Sequence, residues 1–290
     1  MMNVNLVSGG IDSTMMAYEN FHSTNVFFNY GQPYVNEERK ALQSLGFPFI
    51  EVPIGNTPIT EQDKNFVNDR NLTFASVASM LFNADVIRIA GVKDDVCVDK
   101  SPEAFEMMSQ ILTKFSRKKV TVLSPYWHLT KGELVQKAIN YGIKDMMQQT
   151  FSCYNPVNGV PCGHCSACFR KFVALESNGI EAGFIPSSFI VRQYLQRIDS
   201  LPLDRINRIF ISLKRHFKFI AIDIDEAYEK KDTSLIPISH PIKEWIEEEK
   251  RFVIFYTSKL EWYRDYIQEW LNDNQIYCDA LLTGNTIKLF

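Results

Sequence analysis

The chain has 290 residues, of which 46% are hydrophobic, so its length and composition allow a packed core and two domains. Its net charge of −3 excludes a global positive field of the kind that attracts nucleic acid or membranes. Asn3, Asn5 and an early glycine turn do not fit a signal peptide, and no stretch of about 18 residues is apolar throughout. We therefore expect a cytoplasmic protein with no membrane contact.

The first predicted elements are an apolar strand over 4–7 and a helix over 12–21, joined by a glycine turn. The turn reads Ser8-Gly9-Gly10-Ile11-Asp12-Ser13-Thr14. Two glycines let the backbone turn sharply, and the start of the helix offers unpaired N–H groups beside the hydroxyls. We expect this turn to hold a phosphate. It lacks the Gly-Lys-Ser/Thr of a Walker loop, and the alternative is a strand–helix turn that binds nothing.

Strands and helices then alternate. The predicted strands are 25–30, 49–53, 86–91 and 120–123, and the predicted helices are 35–45, 72–82 and 103–116. This alternation predicts an α/β, Rossmann-like fold, in which a parallel sheet carries helices on both faces. Ligands of such sheets lie beyond the carboxyl ends of the strands. The glycine turn, Tyr30-Gly31-Gln32 and Gly91 all follow strands, so we expect a nucleotide site at that edge.

A further helix is predicted to begin at Thr130. Thr130 and Glu133 have the spacing of a capping box, which is a structural role. His128 and Lys131 lie just past a strand end on the expected ligand side. We treat both as candidate site residues, with a solvated surface charge as the alternative for Lys131.

Four of the six cysteines cluster within 16 residues, at Cys153, Cys162, Cys165 and Cys168. In a reducing compartment this clustering favours a metal site over a disulfide framework. Four thiolates surround zinc in closed structural sites, so we expect a structural Zn²⁺ held in a knuckle over 153–168. An iron–sulfur cluster is the alternative. Cys97 and Cys278 stand alone and are expected to be small buried side chains.

Several segments together resemble the 7-cyano-7-deazaguanine synthase family of pyrophosphate-loop ATPases, which makes a queuosine precursor. The resemblance covers about residues 1–180. The matching segments are Ser8-Gly9-Gly10-Ile11-Asp12-Ser13, Tyr30-Gly31-Gln32 with Glu37, Arg70-Asn71, Pro125-x-x-His128-Leu129-Thr130-Lys131-x-Glu133, and Ser152-Cys153 through Cys168.

The resemblance implies an adenine-nucleotide α-hydrolase-like fold and a ligase that converts 7-carboxy-7-deazaguanine and ammonia into 7-cyano-7-deazaguanine, using ATP and Mg²⁺. It implies catalytic roles for Asp12, Arg70 and Lys131. The residues expected to bind ATP are Val7, Ser8, Gly9, Gly10, Ile11, Asp12, Ser13, Thr14, Tyr30 and Gln32. Those expected to bind the substrate are Asn71, Asp95, Asp99 and His128.

The chain departs from the family pattern in three places, the last of which the family associates with base recognition. Pro33-Tyr34 replaces Arg-His, Asn68 replaces a proline, and Asp94 to Asp99 replace an aromatic, glycine-containing segment. Asp95 or Asp99 could still bind a guanine-like edge, since a carboxylate accepts two N–H bonds. One alternative is an enzyme that stops at the amide or joins the acyl group to another amine. A tRNA-modifying enzyme, disfavoured by the acidic net charge, and a non-catalytic nucleotide-binding subunit are the others.

The resemblance ends near residue 195, so we predict a ligase domain over 1–195 and a small accessory α/β domain over 196–290. Two helices are predicted over 192–216, helices over 241–249 and 262–271, and strands over 218–225 and 252–258. This tail weakly resembles the haloacid-dehalogenase phosphatases, with Asp223 as nucleophile, Asp225 as acid/base and Thr257 or Ser258 on phosphate. Glu226-Ala227-Tyr228 replaces the usual Gly-Thr, so we expect a degenerate domain for packing, or for docking a second copy or another protein.

Overall fold

The computed structural model describes residues 1–55, 67–95, 97–233, 251–259, 263–276 and 278–284, without the side chains of Asp199 and Arg251. The predicted helix over 241–249 lies outside these ranges. The chain divides into two compact units, Met1–Phe184 and Ile185–Phe290, where the sequence placed the boundary after residue 195. No helix in the described ranges is long and apolar enough to cross a membrane.

The N-terminal unit is built on a five-stranded parallel sheet, which confirms the predicted fold class. Its strands are β1 (Asn3–Leu6), β2 (Thr24–Asn29), β3 (Ile50–Pro53), β4 (Val86–Ile89) and β5 (Thr121–Leu123). The spatial order is β3-β2-β1-β4-β5. Because β1 lies between β2 and β4, the order reverses beside β1, and ligands of open α/β sheets bind at this switch point.

Helices cover both faces of this sheet. They are α1 (Ile11–Glu19), α2 (Val35–Ser44), α3 (Arg70–Phe82), α4 (Pro102–Phe115), α5 (Lys131–Asn140), α6 (Lys144–Gln149) and α7 (Ser166–Glu176). Helices α3 and α4 pack their apolar residues into one core cluster with β1, β4 and β5. Ala17 of α1 and Leu42 of α2 pack with Val7 and Phe27 into another, and α5 packs against α1 and α7.

Local sequence explains where these helices begin. At α4 the Ser101 side chain accepts a hydrogen bond from the Ala104 N–H at 3.1 Å, and Pro102 occupies the first helical turn. At α5 the Thr130 and Glu133 side chains form the predicted capping box. The capping box fixes the start of α5, and therefore the position of Lys131, its first residue.

The C-terminal unit contains a three-stranded parallel sheet of order β6-β7-β8. Its elements are β6 (Lys218–Asp223), β7 (Arg251–Tyr256), β8 (Ala280–Leu282), α8 (Ser188–Leu195), α9 (Leu203–Leu213), α10 (Asp225–Lys230) and α11 (Arg264–Asp273). At the strand ends, the Asp225 carboxylate accepts hydrogen bonds from the hydroxyls of Thr257 and Ser258 and from the Ser258 N–H at 2.9 Å. Thr257 and Ser258, which the weak resemblance assigned to phosphate binding, therefore already donate hydrogen bonds to the Asp225 carboxylate.

Candidate active site

One cavity of about 220 Å³ opens at the carboxyl edge of the N-terminal sheet. The ends of β1, β2 and β4 line it through Leu6, Phe28 and Ile89. The glycine turn after β1 and the segment leading into the cysteine cluster complete its wall. The cavity therefore lies at the switch point of the sheet, at the edge where the sequence predicted a ligand.

The glycine turn forms a compact loop between β1 and α1. The Ser8 N–H donates to Ser13 Oγ at 3.2 Å, and Ser13 Oγ donates to the Gly10 carbonyl at 3.1 Å. Gly10 precedes α1 and provides no side-chain cap, so N–H groups of the first helical turn point towards the open end of the helix. Ser8, Gly10, Ile11, Asp12 and Ser13 line the cavity, whereas Gly9 and Thr14 do not.

Gly9 is the residue on which this loop turns. Its φ of +72° lies in the left-handed region, and a Cβ there would lie 3.1 Å from both Ala41 Cβ and the Glu38 carbonyl oxygen on α2. The Gly9 carbonyl also accepts a hydrogen bond from the Phe151 N–H at 2.8 Å. The loop is thus packed between α2 and the segment that leads into the cysteine cluster.

Asp12 and Lys131 form an ion pair at the cavity wall. Lys131 Nζ donates to Asp12 Oδ1 at 2.5 Å and also contacts Oδ2. Both side chains are mostly buried, with 13% and 14% of their surface exposed. The Lys131 N–H donates to Asp94 Oδ1 at 3.0 Å. The structure therefore brings two of the three predicted catalytic residues into direct contact beside the loop.

Asp95 lies at the centre of a second charged group. Arg170 Nη2 donates to its Oδ1, and Lys100 Nζ lies 3.5 Å from its Oδ2. Burial would by itself raise the pKa of Asp95, but the positive charges of Lys100, Arg170 and Lys131 hold that pKa well below its ordinary value. Asp95 lines the cavity, and both its oxygens have cationic partners.

Arg70 and a buried glutamate also line the cavity. Arg70 Nη1 donates to the Tyr30 hydroxyl at 3.4 Å, and the Tyr30 and Tyr34 hydroxyls are 3.1 Å apart. Gln32 Nε2 donates to Glu38 Oε2 at 2.9 Å. Burial raises the pKa of Glu38 to about 8, although the Gln32 hydrogen bond and the Arg70 charge act in the opposite direction. At neutral pH the Glu38 carboxyl is therefore mostly protonated.

The remaining predicted substrate residues have different positions. Asn71 lines the cavity and is 4% exposed. Its Nδ2 donates to Asp99 Oδ2 at 2.7 Å, which fixes the orientation of the Asn71 amide. Asp99 binds Asn71 but does not line the cavity. His128 is exposed and does not line the cavity either. Of these residues, Asn71 and Asp95 are the two that a bound ligand could contact.

The four clustered cysteines converge as the spacing predicted. Their sulfur atoms all lie within 4.8 Å of one another, and the Cys162 and Cys168 sulfurs are 3.9 Å apart. The Cys162 N–H donates to Cys153 Sγ at 3.2 Å, and the Cys168 N–H donates to Cys165 Sγ at 3.4 Å. Four converging sulfurs with N–H donors are a donor set that fits one metal ion.

Helix α7 joins the cysteine group to the cavity. Its first residues include Cys168, and Arg170 and Lys171 follow and line the cavity. Lys171 Nζ donates to the Thr150 carbonyl, and burial lowers the pKa of Lys171 to about 8. The Thr150 carbonyl belongs to the same segment as Phe151, whose N–H binds the glycine loop.

The sequence reasoning missed several lining residues that carry charge or a hydroxyl. They are Tyr34, Glu38, Lys100, Ser152, Tyr154, Arg170 and Lys171. The helical pattern gave a signal that Glu38 faces inwards, because Ala41 and Leu42, three and four residues later on the same helix face, are buried. Arg170 pairs with a residue 75 positions away, and no local pattern predicts such a contact.

The cavity suits a polyanion with a flat ring. Five cationic and three acidic side chains line it, and one of the acids, Glu38, is mostly neutral at pH 7. Phe28, Tyr30 and Phe74 supply aromatic surface, and the Phe28 and Phe74 rings stack with centroids 4.5 Å apart. The excess of positive charge favours phosphates and carboxylates in a low-dielectric site.

Comparisons with known proteins agree on one family. A family model described as queuosine biosynthesis protein QueC matches residues 44–179. Three relatives are named 7-cyano-7-deazaguanine synthase. The one from Leptospira interrogans is 27% identical over 213 residues and covers 60% of this chain and 86% of its own. The Aliarcobacter butzleri protein is 27% identical over 214 residues (60% and 90% covered), and the Methanococcus maripaludis protein is 25% identical over 220 (60% and 94% covered). Residues 44–179, within the N-terminal unit of this chain, are thus similar to the QueC family of queuosine-biosynthesis proteins.

Proposed function

We propose that the N-terminal unit is an ATP-dependent carbon–nitrogen ligase that converts 7-carboxy-7-deazaguanine and ammonia into 7-cyano-7-deazaguanine. The observation that carries this proposal is the glycine loop at the switch point of the sheet, facing a cavity lined by five cations. The family match and the names of the relatives support the choice of substrate.

The chemistry needs ATP because a carboxylate is a poor electrophile. Its oxygen attacks the α-phosphorus of ATP, pyrophosphate leaves, and an acyl-adenylate forms. Ammonia then attacks the acyl carbon, AMP leaves with loss of a proton, and the amide results. The amide oxygen attacks the α-phosphorus of a second ATP, and pyrophosphate and one N–H proton leave. Loss of AMP and of the remaining N–H proton then gives the nitrile.

The loop and the nearby cations would stabilise the leaving groups. N–H groups of the glycine loop and the hydroxyls of Ser8 and Ser13 hold the departing pyrophosphate. Lys131, oriented by Asp12, and Arg70 neutralise the charge that develops at phosphate and carboxylate. Asp12 is the carboxylate beside the loop that fits Mg²⁺, which would offset the charge of the pyrophosphate.

Asp95 orients two further cations, and Asn71 contacts the base. Because Asp95 accepts from Arg170 and lies beside Lys100, we assign it to holding those cations in the cavity. The Asn71 amide, whose nitrogen is bound to Asp99, presents its oxygen as an acceptor for a ring N–H or amino group. We propose Zn²⁺ as the metal of the four cysteines, where it would hold the knuckle closed.

The test is incubation of the full chain with ATP, Mg²⁺, ammonium and 7-carboxy-7-deazaguanine, with mass detection of acid, amide and nitrile. We expect the nitrile, together with AMP and pyrophosphate. The amide alone would favour the enzyme that stops one step earlier, and unchanged acid with no ATP consumed would refute the proposal.

A matched pair of lysine variants on α5 tests the role of the cavity. Lys131→Ala should slow pyrophosphate release at least about 100-fold, the order of magnitude lost with one stabilising donor. Lys137→Ala should not, because Lys137 is paired with Glu19 at 2.6 Å and does not line the cavity. Equal rates for the two variants would remove Lys131 from the mechanism.

A further inference from the structure

Lys171 on α7 differs from the other four cations that line the cavity. Each of those four is bound to an acidic or hydroxyl side chain: Lys131 to Asp12, Lys100 and Arg170 to Asp95, and Arg70 to the Tyr30 hydroxyl. Lys171 is 4% exposed. Within the described parts of the chain, the groups that its amino group contacts are main-chain carbonyls, and no carboxylate is among them.

Two carbonyls orient the amino group of Lys171 without neutralising it. Its Nζ donates to the Thr150 carbonyl and lies 3.5 Å from the Gln148 carbonyl oxygen. A buried charge that lacks an opposite charge is unfavourable, because carbonyl dipoles replace only part of its hydration. An ammonium group has three N–H donors, so one remains for a ligand. Because Lys171 lines the cavity, an anion bound there would supply the missing charge.

One peptide group connects Lys171 to the glycine loop. The Thr150 carbonyl accepts from Lys171 Nζ, and the N–H of the same peptide group, that of Phe151, donates to the Gly9 carbonyl at 2.8 Å. The next residue also lies against the loop, since a Cβ on Gly10 would lie 3.3 Å from Ser152 Oγ. The uncompensated charge of Lys171 is therefore held beside the loop that we assign to phosphate.

We propose, on the basis of the function proposed above, that Lys171 contacts the pyrophosphate that leaves ATP and is a further catalytic residue. When the substrate oxygen bonds to the α-phosphorus, the bond from that phosphorus to the bridging oxygen breaks and its electron pair stays on the pyrophosphate. Negative charge therefore grows on the leaving group. Lys171 stabilises this charge and transfers no proton, and unlike Lys131 it has no carboxylate to give up first.

Titration calorimetry of the full chain with inorganic pyrophosphate and Mg²⁺ tests this contact. Lys171→Met should raise the Kd for pyrophosphate about 10- to 100-fold, the range for one hydrogen bond to a charged group. Lys144→Met is the matched control, since Lys144 is exposed on α6 and does not line the cavity, and it should leave that Kd unchanged. The Kd for 7-carboxy-7-deazaguanine should stay at its wild-type value in both variants.

Thermal melting separates this role from a purely structural one. Methionine is similar in length to lysine and removes an uncompensated buried charge, so Lys171→Met without ligand should melt at or above the wild-type Tm. A structural lysine predicts the opposite result, a lower Tm together with unchanged pyrophosphate binding.

Two results would overturn the proposal whatever the Tm. One is a wild-type Kd for pyrophosphate in Lys171→Met, or no pyrophosphate binding by the wild-type chain. The other is an equal loss of affinity for pyrophosphate and for 7-carboxy-7-deazaguanine, which would place Lys171 at the substrate carboxylate or report a damaged site. A chain that binds pyrophosphate through Lys171 but forms no nitrile would instead refute the ligase and leave this contact in place.

Discussion

Replacing Gly9 by alanine tests whether the glycine loop, our proposed phosphate site, depends on its close packing against α2. Gly9 has a φ of +72°, and an added Cβ would lie 3.1 Å from Ala41 Cβ and from the Glu38 carbonyl oxygen. Gly46 is a matched control in the same unit, because its φ is +74° and no atom lies within 4 Å of an added Cβ. Both substitutions therefore carry the free-energy cost of a left-handed backbone with a Cβ, and Gly9→Ala alone adds a steric clash.

The expected losses follow from this difference. Gly46→Ala should cost about 1–2 kcal/mol of folding free energy, the cost of left-handed backbone for a residue with a Cβ. Gly9→Ala adds overpacking against α2, about 1–3 kcal/mol more. In a unit of this size each kcal/mol lowers Tm by roughly 2–4 °C. If the proposed ATP site is correct, ATP and Mg²⁺ should raise the Tm of the wild-type chain, and Gly9→Ala should abolish that rise because the loop can no longer keep its shape.

Thermal melting of both variants, with and without ATP and Mg²⁺, is the assay. Gly46→Ala should retain the nucleotide-dependent rise in Tm at the wild-type size. If Gly9→Ala melts no lower than Gly46→Ala and still responds to ATP, then the close packing on α2 does not hold the loop in shape, and nucleotide binding does not depend on that packing.

Three further predictions concern the walls of the site. Glu38 has a folded-state pKa raised to about 8 by burial, so the stability it contributes is present below its ordinary pKa and is lost as pH rises towards 8. Glu38→Gln should therefore become more stable relative to wild type as pH rises from about 5 to about 8 and level off above that, and a difference that stays constant with pH would contradict this. Cys153→Ser should lower the zinc content measured by mass spectrometry from one ion per chain, while Cys97→Ser, outside the sulfur cluster, should leave it unchanged. Asp99→Ala should free the Asn71 amide and raise KM for 7-carboxy-7-deazaguanine about tenfold, the order of one hydrogen bond, and an equal rise in KM for ATP would argue against a specific role.

The fold was largely predictable because periodic patterns determine its elements. The five strands and the helices α1 to α4 of the N-terminal unit begin and end within about two residues of their predicted positions, whereas α6 and α7 were not predicted. The glycine loop and the cysteine cluster were also predictable, because each is encoded within one short segment. Their chemistry depends on residues that are close in sequence.

The walls of the cavity were harder to predict because they join distant segments. Asp95 looked like a candidate for reading a base, yet its oxygens lie beside Arg170 and Lys100. Asp99 looked equivalent, yet it lies behind Asn71. Which of two neighbouring acids, Glu37 or Glu38, faces the cavity depends on how α2 packs against the loop. Such assignments require tertiary contacts, and a single sequence does not contain them.

Through helix α7, the cysteine cluster does more than hold a loop closed: it also affects the side chains that line the cavity. Cys168, Arg170 and Lys171 occupy less than one and a half turns of that helix, and each successive residue is rotated by about 100°. Anchoring Cys168 therefore sets the rotational phase of the whole helix and decides which side chains point at the ligand. A metal ion bound by the cysteines would in this way determine which charged side chains of α7 face the cavity. A shift of the helix register by one residue would replace the guanidinium of Arg170 there by the ring of Phe169.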